Sequence, residues 1–251
     1  MVDRALHRWE LELESVFDSG YSWVGAVRRT DGTPAVLKLP WPEEGVLPLD
    51  RDALEAWGDA ACHVYEANEG VLLLERLVPG DPTDDDAVLA TAIARLWVPP
   101  PAGVPWRSVG ELGPRWAATI ERFRVELGPE VADEAARRWR ALRDADDDVL
   151  LHGDAHHGNV LSSARGWVAI DPQPIVGERA LDLCPALYNG PALPPEERIP
   201  VLAATAGVDP ARLRWLAVAW CAISSAWCHE DGLPHPSGVG ARSLAVARAL
   251  L

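Results

Sequence analysis

The sequence predicts an α+β protein whose N-terminal part is rich in β-structure and whose remainder is helical. Two observations lead to this prediction. Alternating apolar and polar residues dominate residues 15–39, which is the period of β-strands, whereas helical periodicity dominates from residue 84 onward. Between them, the sequence Pro-Gly-Asp-Pro at residues 79–82 interrupts both patterns. We therefore predict two lobes, residues 1–77 and residues 78–251.

Length and charge narrow the range of functions. A chain of 251 residues with 48% hydrophobic residues can bury a large core in one domain or two lobes. The formal net charge of -15 argues against binding to nucleic acid or to an anionic membrane, because both require clustered basic residues. A cationic small molecule would be attracted to such a surface, although the charge is equally explained as a means of staying in solution.

The cysteines and the apolar segments predict a cytoplasmic protein. The four cysteines show no C-x-x-C or zinc-ribbon spacing, so we expect them to be reduced and mostly packed in the interior. Residues 1–15 are charged from the third residue onward and lack the apolar stretch of a signal peptide. The most apolar run, residues 215–228, is too short to cross a bilayer and fits a buried helix.

The N-terminal part contains a predicted β-hairpin followed by a helix and a strand. An Asp-Gly turn joins the alternating runs at residues 22–27 and 35–39, and this dipeptide between apolar runs is a strong hairpin signal. Prolines then interrupt the chain, and residues 49–61 have helical periodicity. A continuous apolar run at residues 71–77 predicts a buried strand.

Lys38 lies on the second strand of this hairpin and is the only lysine among 23 basic residues. A chain that otherwise uses arginine for positive charge has one position with a compact ammonium on a flexible stem, which a planar guanidinium cannot replace. Chance could also leave a single lysine. Its place on a strand of the predicted β-rich lobe favours a specific role.

After residue 84 the pattern predicts mostly helices. Three acidic residues at 84–86 favour a helix N-terminus because they oppose the helix dipole. One further hairpin is expected from two short strands at residues 160–162 and 166–171. The predicted helices cover residues 87–97, 115–127, 130–145, 178–188, 195–206, 210–228 and 240–251.

The chemistry of the chain is concentrated in residues 150–183. His152 is followed by Asp154, by Asn159 five residues later, and by Asp171 on the strand beyond. This is the H-x-D-x-x-x-x-N pattern of phosphoryl-transfer catalytic loops, with a second acid downstream. In that pattern Asp154 is the catalytic base for a hydroxyl, Asn159 and Asp171 are magnesium ligands, and Lys38 contacts the phosphates of ATP.

The segments HGDAHHGNVL and WVAIDPQPIVGERALD resemble the aminoglycoside phosphotransferases. The H-G-D-x-H-x-G-N, I-D-P and V-G-E-x-x-x-D patterns are similar to the branch that contains streptomycin 6-phosphotransferases and hydroxyurea phosphotransferases. The similarity extends to LLLERLVPG at residues 72–80. It implies a bilobal, protein-kinase-like fold with ATP between the lobes and adenine bound by backbone near Glu75 and Leu77. The implied substrate is the hydroxyl of a small molecule, an aminoglycoside such as streptomycin or another small metabolite.

Two features depart from the pattern of that family. Residues 20–25 read Gly-Tyr-Ser-Trp-Val-Gly, which is not a G-x-G-x-x-G loop, so the expected phosphate contacts of this loop are unassigned. The acid that pairs with the strand lysine is normally glutamate. Here Asp50 is the nearest match by spacing, and Asp52 and Glu55 are the other candidates.

Two other functions are compatible with parts of the sequence. His152, Asp154 and His156 could ligate zinc in a hydrolase, but that leaves Lys38 and Asn159 without a role. A catalytically silent protein with a kinase fold is the other alternative, and the presence of the full set of polar groups argues against it. His152 and Asp182 are expected to brace the loop through hydrogen bonds. His156 is expected to help shape the loop, and His157 to have a structural role.

Overall fold

A five-stranded antiparallel sheet forms the N-terminal region in the computed structural model, which describes residues 1–18, 22–40, 49–232 and 238–251. A short helix, α1 (Val2–Arg8), precedes the sheet, and its strand order is β1-β2-β3-β5-β4. The glycine of the candidate phosphate loop at position 20 and the prolines at 42 and 48 lie outside the described residues. The strands are β1 (Glu12–Phe17), β2 (Ser22–Arg28), β3 (Pro34–Pro40), β4 (Val64–Asn68) and β5 (Val71–Glu75).

The predicted hairpin is confirmed as β2 and β3, which pair so that Val24 lies opposite Lys38. Gly32 adopts a φ of 84°, a left-handed conformation that glycine reaches without strain. Asp31 Oδ1 accepts a hydrogen bond from the Thr33 N–H at 2.8 Å. This local turn chemistry fixes the register that places Lys38 on β3.

Helix α2 (Asp50–Trp57) and a short 3₁₀ segment, Gly58–Ala60, account for the helix predicted over residues 49–61. The buried side chains of α2, including Leu54 and Trp57, belong to the large hydrophobic core of the helical region. A second, smaller core under the sheet contains Leu37 and Leu73. Residues of the N-terminal region are therefore shared between two cores.

Two small antiparallel sheets follow β5 and surround residues 152–159. One has the order β6-β8-β9, and the other pairs β7 with β10. The hairpin predicted over residues 160–171 is confirmed as β8 and β9. The strands are β6 (Pro79–Pro82), β7 (Val149–Leu151), β8 (Val160–Ser163), β9 (Gly166–Ala169) and β10 (Ile175–Gly177).

Helices make up most of the region after β6, which confirms the α+β prediction. The longest of them, α8, is buried continuously over residues 216–226 and contributes this segment to the large core, as expected for a helix surrounded by protein. No described helix is both long and apolar enough to cross a membrane. The helices are α3 (Asp86–Ala94), α4 (Val109–Arg122), α5 (Arg124–Leu127), α6 (Pro129–Ala141), α7 (Pro195–Ala206), α8 (Pro210–Glu230) and α9 (Val239–Leu250).

Several predicted helix bounds were wrong by a few residues, and the largest departures are at residues 178–188 and at the start of α4. Residues 178–188 form two short 3₁₀ segments, Arg179–Leu183 and Pro185–Leu187, because a proline at 185 has no N–H to continue an α-helix. Helix α4 begins six residues before the predicted start at 115. Ser108 Oγ accepts a hydrogen bond from the Glu111 N–H at 3.1 Å and caps the helix, and Pro114 is accommodated inside it.

Candidate active site

The loop between β7 and β8 is held in an unusual backbone conformation. Gly153 has a φ of 77°, and a Cβ at this position would lie 1.9 Å from the carbonyl oxygen of Gln173. The Gln173 N–H donates to the carbonyl oxygen of His152 at 2.8 Å. Only glycine fits this close approach, and the result is a loop pinned to the segment that follows β9.

Asp182 holds the same loop from the interior, as predicted. Its two carboxylate oxygens accept hydrogen bonds from the backbone N–H groups of His152 at 3.0 Å and Gly153 at 2.9 Å. The indole N–H of Trp97 donates to Oδ2 at 3.1 Å. Burial raises the pKa of Asp182 to about 6, although these hydrogen bonds act in the opposite direction.

His152 is fully buried, and both of its ring nitrogens are occupied. Nε2 lies 2.8 Å from the carbonyl oxygen of Ile170, and Nδ1 lies 3.3 Å from the Asp154 N–H nitrogen. The ring stacks on Trp57 with 6.1 Å between ring centroids. Burial lowers the pKa of His152 to about 4, so the ring is neutral at physiological pH. The predicted bracing role of His152 is confirmed.

These contacts argue against the zinc alternative. With both nitrogens of His152 in hydrogen bonds to backbone, neither is oriented toward a metal. His156 accepts the Gly158 N–H through Nδ1 at 3.1 Å and caps the following 3₁₀ turn, so it shapes the loop. Across the residues that the structure describes, no three His, Cys, Asp or Glu side chains cluster as a metal site requires.

Asp154 and Asn159 lie together at the open side of the loop. Asn159 Nδ2 donates to the Asp154 carbonyl oxygen at 3.0 Å and contacts Asp154 Oδ2 at 3.3 Å. Burial, and then the negative charge of Asp171, raise the pKa of Asp154 to about 7, with the Asn159 contact opposing the shift. In the described residues, no arginine or lysine forms an ion pair with Asp154. Such a carboxyl is suited to exchange a proton near neutral pH.

Lys38 bridges two acids from different parts of the chain. Its Nζ lies 2.5 Å from Asp50 Oδ2 and 2.5 Å from Asp171 Oδ1. Asp50 is therefore the acid on α2 that contacts the lysine, rather than Asp52 or Glu55. Burial disfavours the charged ammonium, but Asp171 and Asp50 together raise the pKa of Lys38 above its ordinary value.

Asn159 and Asp171 fit the predicted magnesium ligands in chemical type. Asn159 makes both of its contacts to Asp154 through Nδ2, which leaves the amide oxygen as the atom able to bind a cation. Asp171 has a φ of 54°, a left-handed conformation rare outside glycine, and 48% of its side chain is exposed. An amide oxygen and a carboxylate are sufficient protein ligands for Mg²⁺ when phosphate oxygens complete the shell.

Glu75 and Leu77, expected to lie beside adenine, are placed at the end of β5 and just after it. The Glu75 N–H already donates to the carbonyl oxygen of His63 at 2.8 Å, so it is committed to the sheet. The Glu75 carboxylate forms a two-point ion pair with Arg165. The Leu77 side chain is buried in the large core. A nucleotide contact from this segment would therefore use a backbone group other than the Glu75 N–H.

A second cluster of charges, which no sequence pattern indicated, lies behind the loop. The Arg198 guanidinium donates to both carboxylate oxygens of Asp86, at 2.9 and 2.6 Å, and Arg198 is 1% exposed. Asp86 Oδ1 also lies 3.1 Å from His157 Nε2, although the alignment is not that of a hydrogen bond. Burial opposes ionisation of Asp86, but Arg198 lowers its pKa to about 2. The 112 residues between the partners explain why no local pattern revealed the pair.

Comparison with known proteins identifies the family of this chain. Residues 8–232 match the family model described as aminoglycoside/hydroxyurea antibiotic resistance kinase. The chain belongs to this family. It is therefore a small-molecule phosphotransferase, and the family resemblance predicted from the sequence is confirmed.

Named relatives of this kinase-family chain include a streptomycin 6-kinase of Streptomyces glaucescens, 38% identical over 74% of this chain and 66% of that protein. The streptomycin 6-kinase of Streptomyces griseus is 33% identical over 100% of this chain and 88% of its own length. The hydroxyurea phosphotransferase of Kitasatospora aureofaciens is 34% identical over 100% of this chain and 78% of its own.

Solved structures show the same fold at low sequence identity. An amicoumacin kinase in complex with AMP-PNP, Ca²⁺ and Ami superposes with a TM-score of 0.69 at 15% identity, covering 99% of this chain and 90% of that one. A macrolide 2'-phosphotransferase gives a TM-score of 0.65 at 19% identity, covering 97% and 94%. The kinase-like fold expected from the sequence is confirmed.

Proposed function

We propose that this chain is an ATP- and Mg²⁺-dependent kinase that transfers the γ-phosphoryl group to a hydroxyl of an aminoglycoside-like small molecule such as streptomycin. One observation carries the proposal. Lys38 and Asp171 are in contact beside Asp154, a carboxyl that pairs with no described arginine or lysine, lies 3.6 Å from His156 Nε2, and has a pKa of about 7. Phosphoryl transfer needs this combination of a cation for phosphates, a metal-binding acid and a base.

Each residue has a distinct part in the proposed reaction. Asp154 accepts the proton of the substrate hydroxyl as the hydroxyl oxygen attacks the γ-phosphorus, while the bond to the β,γ-bridging oxygen breaks and ADP departs. Asn159 orients Asp154 through its amide N–H₂. Asn159 and Asp171 would hold Mg²⁺, which neutralises charge on the phosphates. Lys38, held by Asp50, would contact the non-transferred phosphates.

The substrate class rests on charge and on the named relatives. A net charge of -15 favours a cationic acceptor through long-range attraction. Relatives that are named streptomycin kinases are 33% to 38% identical to this chain, which makes a streptomycin-like compound the first candidate. The relative named hydroxyurea phosphotransferase is 34% identical, so hydroxyurea or another small metabolite is the second candidate.

The proposal also assigns a role to each of the two predicted lobes. Residues 1–77 would form the nucleotide-binding lobe, including the segment with Glu75 and Leu77, and residues 78–251 would carry the catalytic loop and the acceptor site. ATP is supplied in the cytoplasm, so the proposed site of action is cytoplasmic.

A screen of phosphate acceptors tests the proposal. ATP consumption would be measured with streptomycin, other aminoglycosides, hydroxyurea and small amino alcohols, and products identified by mass spectrometry. The D154N protein serves as the blank. We expect phosphorylation of an aminoglycoside that depends on Mg²⁺ and is absent from the blank. ATP consumption that is the same in the blank, or that yields no phosphorylated acceptor, would refute the proposal.

A further inference from the structure

The β8–β9 hairpin carries both proposed metal ligands at its open end. Asn159 directly precedes β8, and Asp171 lies two residues beyond β9. The Ile170 N–H donates to the Asn159 carbonyl oxygen at 2.9 Å, which joins the two ends of the hairpin. The position of this hairpin therefore sets the position of both ligands. Arg165 lies in its turn, at the opposite end.

The Arg165 side chain reaches out of the hairpin to the N-terminal region. Its two terminal nitrogens bind the two carboxylate oxygens of Glu75, one of them at 2.6 Å. The same guanidinium donates to the carbonyl oxygens of Ala61 at 3.0 Å and Asp59 at 3.4 Å. Four acceptors thus converge on one planar cation, which matches the fixed fork of donors that arginine provides.

Glu75 is placed to transmit this contact to the sheet that carries Lys38. It is the last residue of β5, which pairs with β3 so that Ala35 lies opposite it. The carboxylate also accepts the His63 N–H at 3.1 Å, and 16% of the Glu75 side chain is exposed. Burial opposes its ionisation, but hydrogen bonds from Arg165 and the His63 backbone hold the pKa of Glu75 below its ordinary value.

A second contact of the hairpin with the N-terminal region lies nearby. The Cys62 N–H donates to the carbonyl oxygen of Ala169 at 2.9 Å, at the end of β9 that leads to Asp171. The Cys62 bond fixes the end of β9 nearest Asp171, and the pairing of β8 with β6 holds one edge of the hairpin. Arg165 adds an attachment at the turn, which ties the far end of the hairpin to the N-terminal region.

We propose that Arg165 is a positioning residue for phosphoryl transfer. By joining the hairpin turn to Glu75, it fixes Asn159 and Asp171 relative to the sheet that holds Lys38 and to the segment expected beside adenine. The inference rests on the proposed metal-binding role of Asn159 and Asp171. As a positioning residue, Arg165 sets the spacing between the metal site and the nucleotide site, although it contacts neither of them.

The test compares R165Q with R140Q. Arg140 forms a two-point ion pair with Glu121 between α6 and α4, and neither residue belongs to the hairpin, so R140Q removes a contact of the same kind elsewhere. Two quantities are measured: the Mg²⁺ concentration for half-maximal binding of a non-hydrolysable ATP analogue, and the KM for ATP. For R165Q we expect both to rise about tenfold, which is the ratio for loss of one charge-assisted contact. For R140Q both quantities stay within about twofold.

Further variants decide between outcomes. R165K keeps the charge but not the fork, and we expect about a threefold rise, so it provides a result even if R165Q does not fold. E75R together with R165E restores the pair in reverse and should bind nucleotide more tightly than either single change. Equal Mg²⁺ dependence in R165Q, R165K and wild type would overturn the inference. D171A tests the metal site separately, since metal-dependent binding retained there would refute the proposed function itself.

Discussion

Asp154 and Asp86 lie on opposite sides of the same loop and have opposite electrostatic environments. Behind the loop, Asp86 is paired in two places with the buried Arg198, and its pKa is lowered to about 2. On the open side, Asp154 contacts the amide of Asn159 and lies 3.6 Å from His156 Nε2, and burial together with the like charge of Asp171 raises its pKa to about 7. Asp86, whose charge is neutralised by Arg198, has a structural role. Asp154, which pairs with no described arginine or lysine, is suited to proton transfer.

The largest effect is expected behind the loop. R198M removes the partner of a buried carboxylate, and loss of one member of a buried pair costs about 3 to 5 kcal/mol. We expect a loss of this size in the free energy of unfolding, measured with chemical denaturant. D86N combined with R198M should recover part of it, because no unpaired charge remains. A loss no larger for R198M than for an exposed arginine would show that this cluster does not hold the loop.

On the open side, the expected effect is on turnover instead. For D154N we expect turnover to fall by about two orders of magnitude or more, the contribution of general-base catalysis, while nucleotide binding is unchanged. Steady-state phosphorylation of the best acceptor and a separate nucleotide titration would measure the two quantities. Near-normal turnover would remove Asp154 from its role as base.

The raised pKa of Asp154 predicts a smaller effect on stability. The folded protein holds this proton more tightly than the unfolded chain, so the stabilisation is present below about pH 4 and is lost as pH rises through about 7. The D154N variant has no carboxyl to ionise at this position, so it does not undergo this pH-dependent loss of stability. Because 37% of the Asp154 side chain is exposed, we expect D154N to gain only about 1 to 2 kcal/mol over wild type between pH 5 and pH 8. Denaturant unfolding without nucleotide or metal would measure it, and a difference independent of pH would contradict it.

The smallest effect is expected at the surface pair of Arg140 and Glu121. Both side chains are close to half exposed, so water competes with the ion pair. R140Q should leave the unfolding midpoint and the turnover almost unchanged. A large loss in either quantity would contradict the expectation that an exposed ion pair contributes little to stability and turnover in this protein.

Local patterns in the sequence predicted most of the elements that support the site. The Asp-Gly turn placed Lys38 on a hairpin strand, and the H-x-D-x-x-x-x-N spacing placed Asp154 and Asn159 on one loop. These succeed because turn chemistry and short-range spacing act within a few residues. The helix predicted at 178–188 failed at a proline, which the apolar periodicity did not reflect.

Contacts between distant parts of the chain could not be predicted in the same way. Arg165 and Glu75 are 90 residues apart, and each occurs in a segment whose local pattern has another explanation. Arg165 follows a hairpin strand, and Glu75 ends an apolar run. Only the folded arrangement brings the charges together, because pairing across the chain depends on how the hairpin lies against the sheet.

The affinity for a non-hydrolysable ATP analogue, measured with and without Mg²⁺ in wild type, D154N and D171A, tests the central claim most directly. The claim assigns metal binding to Asp171 and proton transfer to Asp154. It predicts that D171A loses the increase in affinity that Mg²⁺ gives to wild type, whereas D154N keeps it. Mg²⁺-dependent binding that survives in D171A and disappears in D154N would contradict the division of roles between the two carboxylates.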